Sequence, residues 1–166
     1  MADYTTVDGA MVGVIMGSAS DWPAMREASE TLDELGIAHE CNAISAHRHH
    51  ERLSRYVAEA EQRGMKLFIC AAGGAAHLAG VVAALTDRPV LGCPMKAWSL
   101  EGLDSLLSTV QMPKGIPVAT FAIGVPGAVN AALFAGYILA LGDDAIRDRL
   151  RAFRQRQSAV IQSLGD

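Results

Sequence analysis

The sequence has no excess of basic residues, no paired cysteines and no apolar run long enough to cross a bilayer. Its 14 Lys and Arg are outnumbered by 18 Asp and Glu, which leaves a net charge of −4. That balance offers no basic face, so no nucleic acid is expected as a partner. The 3 cysteines, Cys41, Cys70 and Cys93, are odd in number and far apart. Without a Cys-x-x-Cys pair, neither a zinc site nor a disulfide framework is indicated. Reduced thiols in a cytoplasm are the expectation. The longest apolar stretch, Ala128–Leu141, contains Asn130 and is too short to span a membrane. It reads as a buried helix. Residues 1–10 lack the positive start and apolar core of a signal peptide and read as a short, flexible lead-in.

What is present is the composition of a soluble globular protein, 51% apolar and 19% charged. A chain of 166 residues fits one domain, here read as residues 11–166, with a real core. Met11–Met16 is a continuous apolar run closed by Gly17, the mark of a strand buried on both faces. A helix follows to about Leu35, with Pro23 in its first turn, Ser20 or Asp21 as cap, and Gly36 as stop. Ile37–Ile44 reads as the second strand, and Glu51–Arg63 as a charged helix closed by Gly64. Lys66–Ala71 is a third apolar strand, followed by an apolar helix through about Thr86. Pro89–Gly92 and Pro117–Ile123 complete the strands, with helices over Leu100–Val110 and Gly127–Leu141. This alternation predicts a three-layer α/β/α sandwich around a doubly wound, mostly parallel sheet of flavodoxin-like type. A last amphipathic helix, about Asp144–Ser163, carries Ile146, Leu150, Phe153, Val160 and Ile161 on one side and arginines on the others. It is expected to pack on the domain or reach into a neighbouring subunit.

The loops that follow the strands carry the chemistry, because open α/β sheets bind ligands at the carboxyl ends of their strands. Gly17-Ser-Ala-Ser-Asp21 leads into a helix N-terminus, which suits a phosphate. Ser18 and Ser20 add hydroxyl donors, and Asp21 can accept from ribose hydroxyls. The bland alternative is that Ser20 and Asp21 only cap the helix. In Ala43-Ile-Ser-Ala-His-Arg-His-His50, Ser45, His47 and Arg48 leave a strand together. An imidazole near neutrality suits proton transfer, and a guanidinium fits phosphate or carboxylate. Gly73, Gly74, Ala75 and Ala76 form a loop without bulk, able to let a ligand approach and to offer N–H groups, or simply to pack tightly. His77, at the next helix start, reads as structural. His47, His49 and His50 lack the helical His-x-x-x-His spacing that would favour a metal. The stretch Trp98–Gly115 is expected to floor the pocket or to meet another subunit.

Several of these motifs coincide with a known family. Met16-Gly-Ser-Ala-Ser-Asp-Trp22, Ser45-Ala-His-Arg48, Ala72-Gly-Gly-Ala-Ala-His-Leu78, Asp104-Ser-Leu-Leu-Ser108, Val110-Gln-Met-Pro113, Gly115-Ile-Pro-Val118 and Ala122-Ile-Gly124 resemble the PurE family of purine biosynthesis. The resemblance runs from about Val12 to Gln157. It implies an N5-carboxyaminoimidazole ribonucleotide mutase, with neither metal nor organic cofactor, assembled as a homo-octamer with sites between subunits. It implies His47 as the general acid/base. It places the ribonucleotide substrate on Ser18, Asp21 and Arg48, supported by Ser20 and Ser45. The loop Gly73, Gly74, Ala75 and Ala76, with Leu78, would back the base and the migrating carboxylate. Arginine at 48 resembles the bacterial mutase branch, whereas the branch that fixes CO2 directly usually has lysine there. The chain departs from the family pattern in three places. His49-His50 stands for Thr-Pro, Ala79 for Pro, and Met95-Lys-Ala-Trp98 is unusually bulky. The first change predicts a looser loop.

Overall fold

Apolar residues on both faces of a strand demand a helical layer on each side. The computed structural model, which describes residues 4–160, shows this arrangement. Its strands are β1 (Val12–Met16), β2 (His39–Ala43), β3 (Leu67–Gly73), β4 (Val90–Met95) and β5 (Ala119–Thr120). Its α-helices are α1 (Trp22–Glu34), α2 (His50–Gln62), α3 (Leu78–Ala83), α4 (Leu103–Val110), α5 (Val125–Leu139) and α6 (Asp144–Ser158). The sheet runs β2-β1-β3-β4-β5, and every neighbouring pair is parallel. This is the flavodoxin-like order. Among the described residues no helix is long and apolar enough to cross a membrane.

Alternation along the strands divides the core. Val12, Val14 and Met16 join Leu67, Ile69, Leu91 and Cys93 against α1 and α5. Ile15, Phe68 and Cys70 turn the other way, against Leu53, Tyr56 and Val57 of α2 and Leu78 and Val82 of α3. Gly13 lies on that second face. A Cβ there would stand 2.8 Å from a ring carbon of Phe68 and 2.9 Å from the Tyr56 hydroxyl. The missing side chain is what lets the two largest buried rings meet over β1.

The structure differs from the sequence reading at several boundaries, each for a local reason. The fourth strand runs on to Met95 because Phe68–Gly73 of β3 pairs with its whole length. The fifth is regular only at Ala119–Thr120. It is an edge strand pairing with β4 alone, and Pro117 has no N–H to give. The fourth helix starts at Leu103 rather than Leu100, because Glu101 and Gly102 have φ of +53° and +92°, which no α-helix accommodates. The third helix ends at Ala83, short of Thr86. The strand β2, which feeds the histidine loop, lies at the sheet's edge.

The helix expected to be buried over Ala128–Leu141 is buried on one side only. Ala128, Ala131, Ala132 and Ala135 pack inward, whereas Val125, Phe134 and Tyr137 stay more than 40% exposed. Of the lead-in read as residues 1–10, Thr5 and Asn42 exchange hydrogen bonds of 2.8 and 2.9 Å, and Val7 N–H donates to Glu40. Residues 1–3 lie outside the described residues. In α6, Ile146 and Leu150 are buried on the chain's own domain, and Arg149 donates to the Leu35 carbonyl at 3.1 Å. Asp143 caps this helix. It ends at Ser158, and the expected continuation through Ile161 to Ser163 lies outside the described residues.

Gly13→Ala is expected to destabilise the domain by about 1–3 kcal/mol, the usual cost of overpacking a tight core. Denaturant unfolding measures this. An unchanged midpoint would contradict the packing described.

Candidate functional site

Register in the sheet determines which loops meet. Met16 of β1 is level with Ala43 of β2 and with Ala71 of β3. The ladder continues one step beyond the strands, with Ile44 N–H donating to Met16 O at 2.8 Å and Gly17 N–H to Ala71 O at 2.9 Å. Three exit loops therefore open side by side on a cleft of about 440 Å³. The first contributes Ser18, Ser20 and Asp21, the second Ser45, His47 and Arg48, and the third Gly73, Ala75 and Leu78. All of these were singled out from sequence. Gly74 and Ala76 belong to the same group, but they are buried and do not line the cleft.

The first loop is a serine turn. The Ser18 hydroxyl accepts from Ser20 N–H at 3.2 Å and from the Ser20 hydroxyl at 2.9 Å. Asp21 occupies the N-cap position of α1, yet its side chain makes no cap hydrogen bond. The capping alternative thus fails for its carboxylate, which is left half-buried beside the cleft. Burial pushes the Asp21 carboxyl up from the usual carboxylate range, partly offset by a backbone hydrogen bond with Ser18.

In the second loop, the Ser45 hydroxyl accepts from Arg48 N–H at 3.3 Å, and the Ser45 carbonyl accepts from His49 N–H at 2.9 Å. These bonds close the turn without Thr-Pro. His49 takes the N-cap position of α2 with no side-chain bond, and neither it nor His50 lines the cleft. The Arg48 guanidinium is exposed and, among the described residues, hydrogen-bonds only the Gly17 carbonyl, at a long 3.5 Å. It is available to an anion.

His47 and His77 stand together. Nε2 of His47 lies 2.9 Å from Nδ1 of His77, and the rings meet edge to face, 5.0 Å apart at 89°. One nitrogen must donate and the other accept, so the contact couples the protonation of the two rings. The sequence reading took His77 as merely structural and missed this pairing. A histidine after each of two strands consecutive in sequence is the available signal. Among the described residues no group of three His, Cys, Asp or Glu side chains could hold a metal ion. Cys70 and Cys93 are buried thiols without a disulfide, and burial pushes that of Cys93 up to about 12.

The third loop does not offer all its amides to a ligand. Gly74 N–H donates to Ser105 Oγ at 2.8 Å and Ala76 N–H to Ser108 Oγ at 3.0 Å. Both hydroxyls come from α4. Ser105 also donates to the Met95 carbonyl at 2.7 Å, so one buried hydroxyl ties β4 to the loop. Removing it would leave two buried backbone groups unpaired, at about 1–3 kcal/mol each. The serines of Asp104–Ser108 hold the site from behind.

Lys96 and Ala97, which sequence reasoning does not assign, form the remaining wall together with Trp98, the first residue of the stretch expected to floor the pocket or to meet another subunit. They follow β4, whose observed extension to Met95 brings them to the cleft. Trp98 has φ +46° and Glu101 φ +53°. A left-handed conformation costs an ordinary residue roughly 1–2 kcal/mol. The Trp98 ring lies against Gly74, where a Cβ would stand 2.3 Å from ring carbon Cζ3. Gly74 itself has φ +67°, so this position needs glycine on both counts.

The sequence pattern of the family described as AIR carboxylase matches residues 11–159. A Haemophilus influenzae protein named N5-carboxyaminoimidazole ribonucleotide mutase is 51% identical over 152 residues, covering 92% of this chain and 93% of that protein. A Pyrococcus abyssi protein of the same name is 54% identical over 144 residues, covering 87% of this chain and 82% of that protein. The crystal structure of Treponema denticola PurE superposes with a TM-score of 0.81 at 30% identity, covering 89% of this chain and 90% of that one.

The raised Asp21 carboxyl has a consequence for stability. The folded protein holds that proton more tightly than the unfolded chain, so the stabilisation is complete at low pH and is lost as pH rises through the folded value. Asp21→Asn removes the buried charge. The variant should melt higher than the parent at neutral pH, and the gap should close as pH is lowered toward about 4. Thermal unfolding across pH checks this. A variant less stable at neutral pH would contradict it.

Proposed function

We propose, from the premise that this chain belongs to the AIR carboxylase family, that it moves the carboxylate of N5-carboxyaminoimidazole ribonucleotide from the exocyclic nitrogen to ring carbon C4. Support comes from extensive identity with proteins bearing that mutase name. The observation that carries the reading is the His47 imidazole, on the cleft wall and paired with His77.

The chemistry needs one proton delivered and one recovered. His47, protonated, gives a proton to N5 as the N–C bond to the carboxylate breaks and CO2 departs. The C4 carbon then attacks CO2, forming the new C–C bond. His47, now neutral, takes the C4 proton and the ring regains its aromaticity. The proton count closes, so a single imidazole serves as acid and then as base. CO2 must stay in place between the two steps, and the small side chains at Gly73 and Ala75 leave room for it. His77 positions the His47 ring through the nitrogen–nitrogen hydrogen bond between them.

The same reading assigns the binding groups. Ser18, Ser20 and the N-terminus of α1 hold the 5′ phosphate. Asp21 accepts from ribose hydroxyls, while Arg48 pairs with phosphate or carboxylate and Ser45 fixes its turn. Leu78 contributes apolar wall, and Gly74 and Ala76 act from behind it. The protein works as a single α/β domain over residues 11–166, in the cytoplasm. It assembles as a homo-octamer. Support for self-association is the apolar surface left open by Leu103 and Leu107 of α4 and by Phe134 and Tyr137 of α5. The described part of α6 packs on its own domain, which leaves contact with another subunit to its outer face.

A second reading, direct carboxylation of aminoimidazole ribonucleotide by CO2, is carried by the family's own description. Faster turnover from that nucleotide plus bicarbonate than from the N-carboxylated substrate would favour it. For the mutase reading, His47→Asn is expected to lower kcat by roughly 10²–10⁴-fold, the usual contribution of general acid–base catalysis. Calorimetry should show that the variant still binds the ribonucleotide. Normal turnover in that variant would overturn the mechanism.

A further inference from the structure

The wall following β4 is where this chain departs from the family pattern, and it carries the cleft's single large aromatic side chain. Trp98 is 81% exposed, although tryptophan is usually well buried. It is held there in two ways. Its own backbone is in the left-handed region, and its ring rests directly on Gly74. Gly74 is tied in turn to Ser105. Strained backbone persists where the surroundings over-determine it, commonly at ligand clamps. The neighbouring walls are small, with Ala72, Gly73, Ala75 and Ala97 along the same side. The indole therefore stands over a shallow floor with an open face.

We propose that Trp98 is a specificity-determining residue whose indole stacks on the planar imidazole base of the bound ribonucleotide. The inference rests on the function proposed above and adds to it a group that grips the heterocycle rather than the phosphate or ribose. Among the described residues, nothing else lining the cleft, apart from the histidine that moves the proton, offers an aromatic face. The serine turn and Arg48 recognise anions, and Asp21 recognises hydroxyls. Without Trp98 the base would be recognised only by its edges. Stacking supplies affinity for a flat ring while leaving its edge free for proton transfer.

The test compares two ligands by calorimetry, aminoimidazole ribonucleotide and ribose 5-phosphate, which lacks the base. Trp98→Ala should weaken binding of the ribonucleotide by about tenfold or more, as loss of one base–aromatic stack does, and leave ribose 5-phosphate unchanged. Trp98→Phe should restore most of the difference. In a Trp22→Phe background, the remaining indole emission should change on adding the ribonucleotide and not on adding ribose 5-phosphate. Equal losses for both ligands would indicate a merely structural role and overturn the proposal. So would unchanged ribonucleotide binding in Trp98→Ala. Failure of the unaltered protein to bind either ligand would overturn the functional reading, and this proposal with it.

Discussion

Backbone hydrogen bonds between three parallel strands decide where every candidate group stands. β1 pairs with β2 on one side and β3 on the other, in a register that brings Met16, Ala43 and Ala71 level. All three chains leave the sheet at the same height and on the same edge. A one-residue slip of β2 would invert its side chains and carry His47 and Arg48 away from the serine turn. The register is enforced from below, where Val12, Val14 and Met16 interlock with their neighbours in the core. Packing that looks remote from the site is therefore what aligns it.

The site itself is built against stability in several places. Asp21 holds a carboxylate half out of water without capping α1, and a backbone hydrogen bond with Ser18 offsets the loss only in part. Trp98 and Glu101 adopt backbone conformations that suit glycine. Among the described residues, the Arg48 guanidinium has one long hydrogen bond, to a carbonyl. Compensation comes from behind, through α4, whose Ser105 and Ser108 satisfy the amides of the glycine loop. Strain and unpaired charge at the front, with full hydrogen bonding at the back, is the pattern of a preorganised ligand site.

Much of this was legible in the sequence. Continuous apolar runs ending in small or polar loops identified the parallel strands, and the three cleft loops were named with most of their residues. The misses have physical causes. β5 shrank to Ala119–Thr120 because an edge strand flanked by proline has few partners, which an apolar run does not reveal. The half-open α5 looked buried because its outward Phe134 and Tyr137 are as apolar as its inward alanines. Ser105 and Ser108 act across more than 30 residues of separation, and no local pattern predicts which amide a hydroxyl will reach. The pairing of His47 with His77 is also a product of strand order, since β2 and β3 flank β1 and their exit loops meet beyond it, which no local pattern announces. Lys96 and Ala97 join the cleft because β4 extends further than its proline and glycine suggest, bringing with them Trp98, where the expected pocket floor begins.

The account's central claim is that one imidazole, held by a second, reaches both the nitrogen that loses the carboxylate and the carbon that gains it. A crystal structure with aminoimidazole ribonucleotide bound measures this directly. The account predicts the free nitrogen of His47 within about 3.5 Å of the exocyclic amine or C4 of the heterocycle, with the phosphate on the serine turn. A base bound elsewhere, or a His47 ring turned away beyond the reach of a single bridging water, would contradict it.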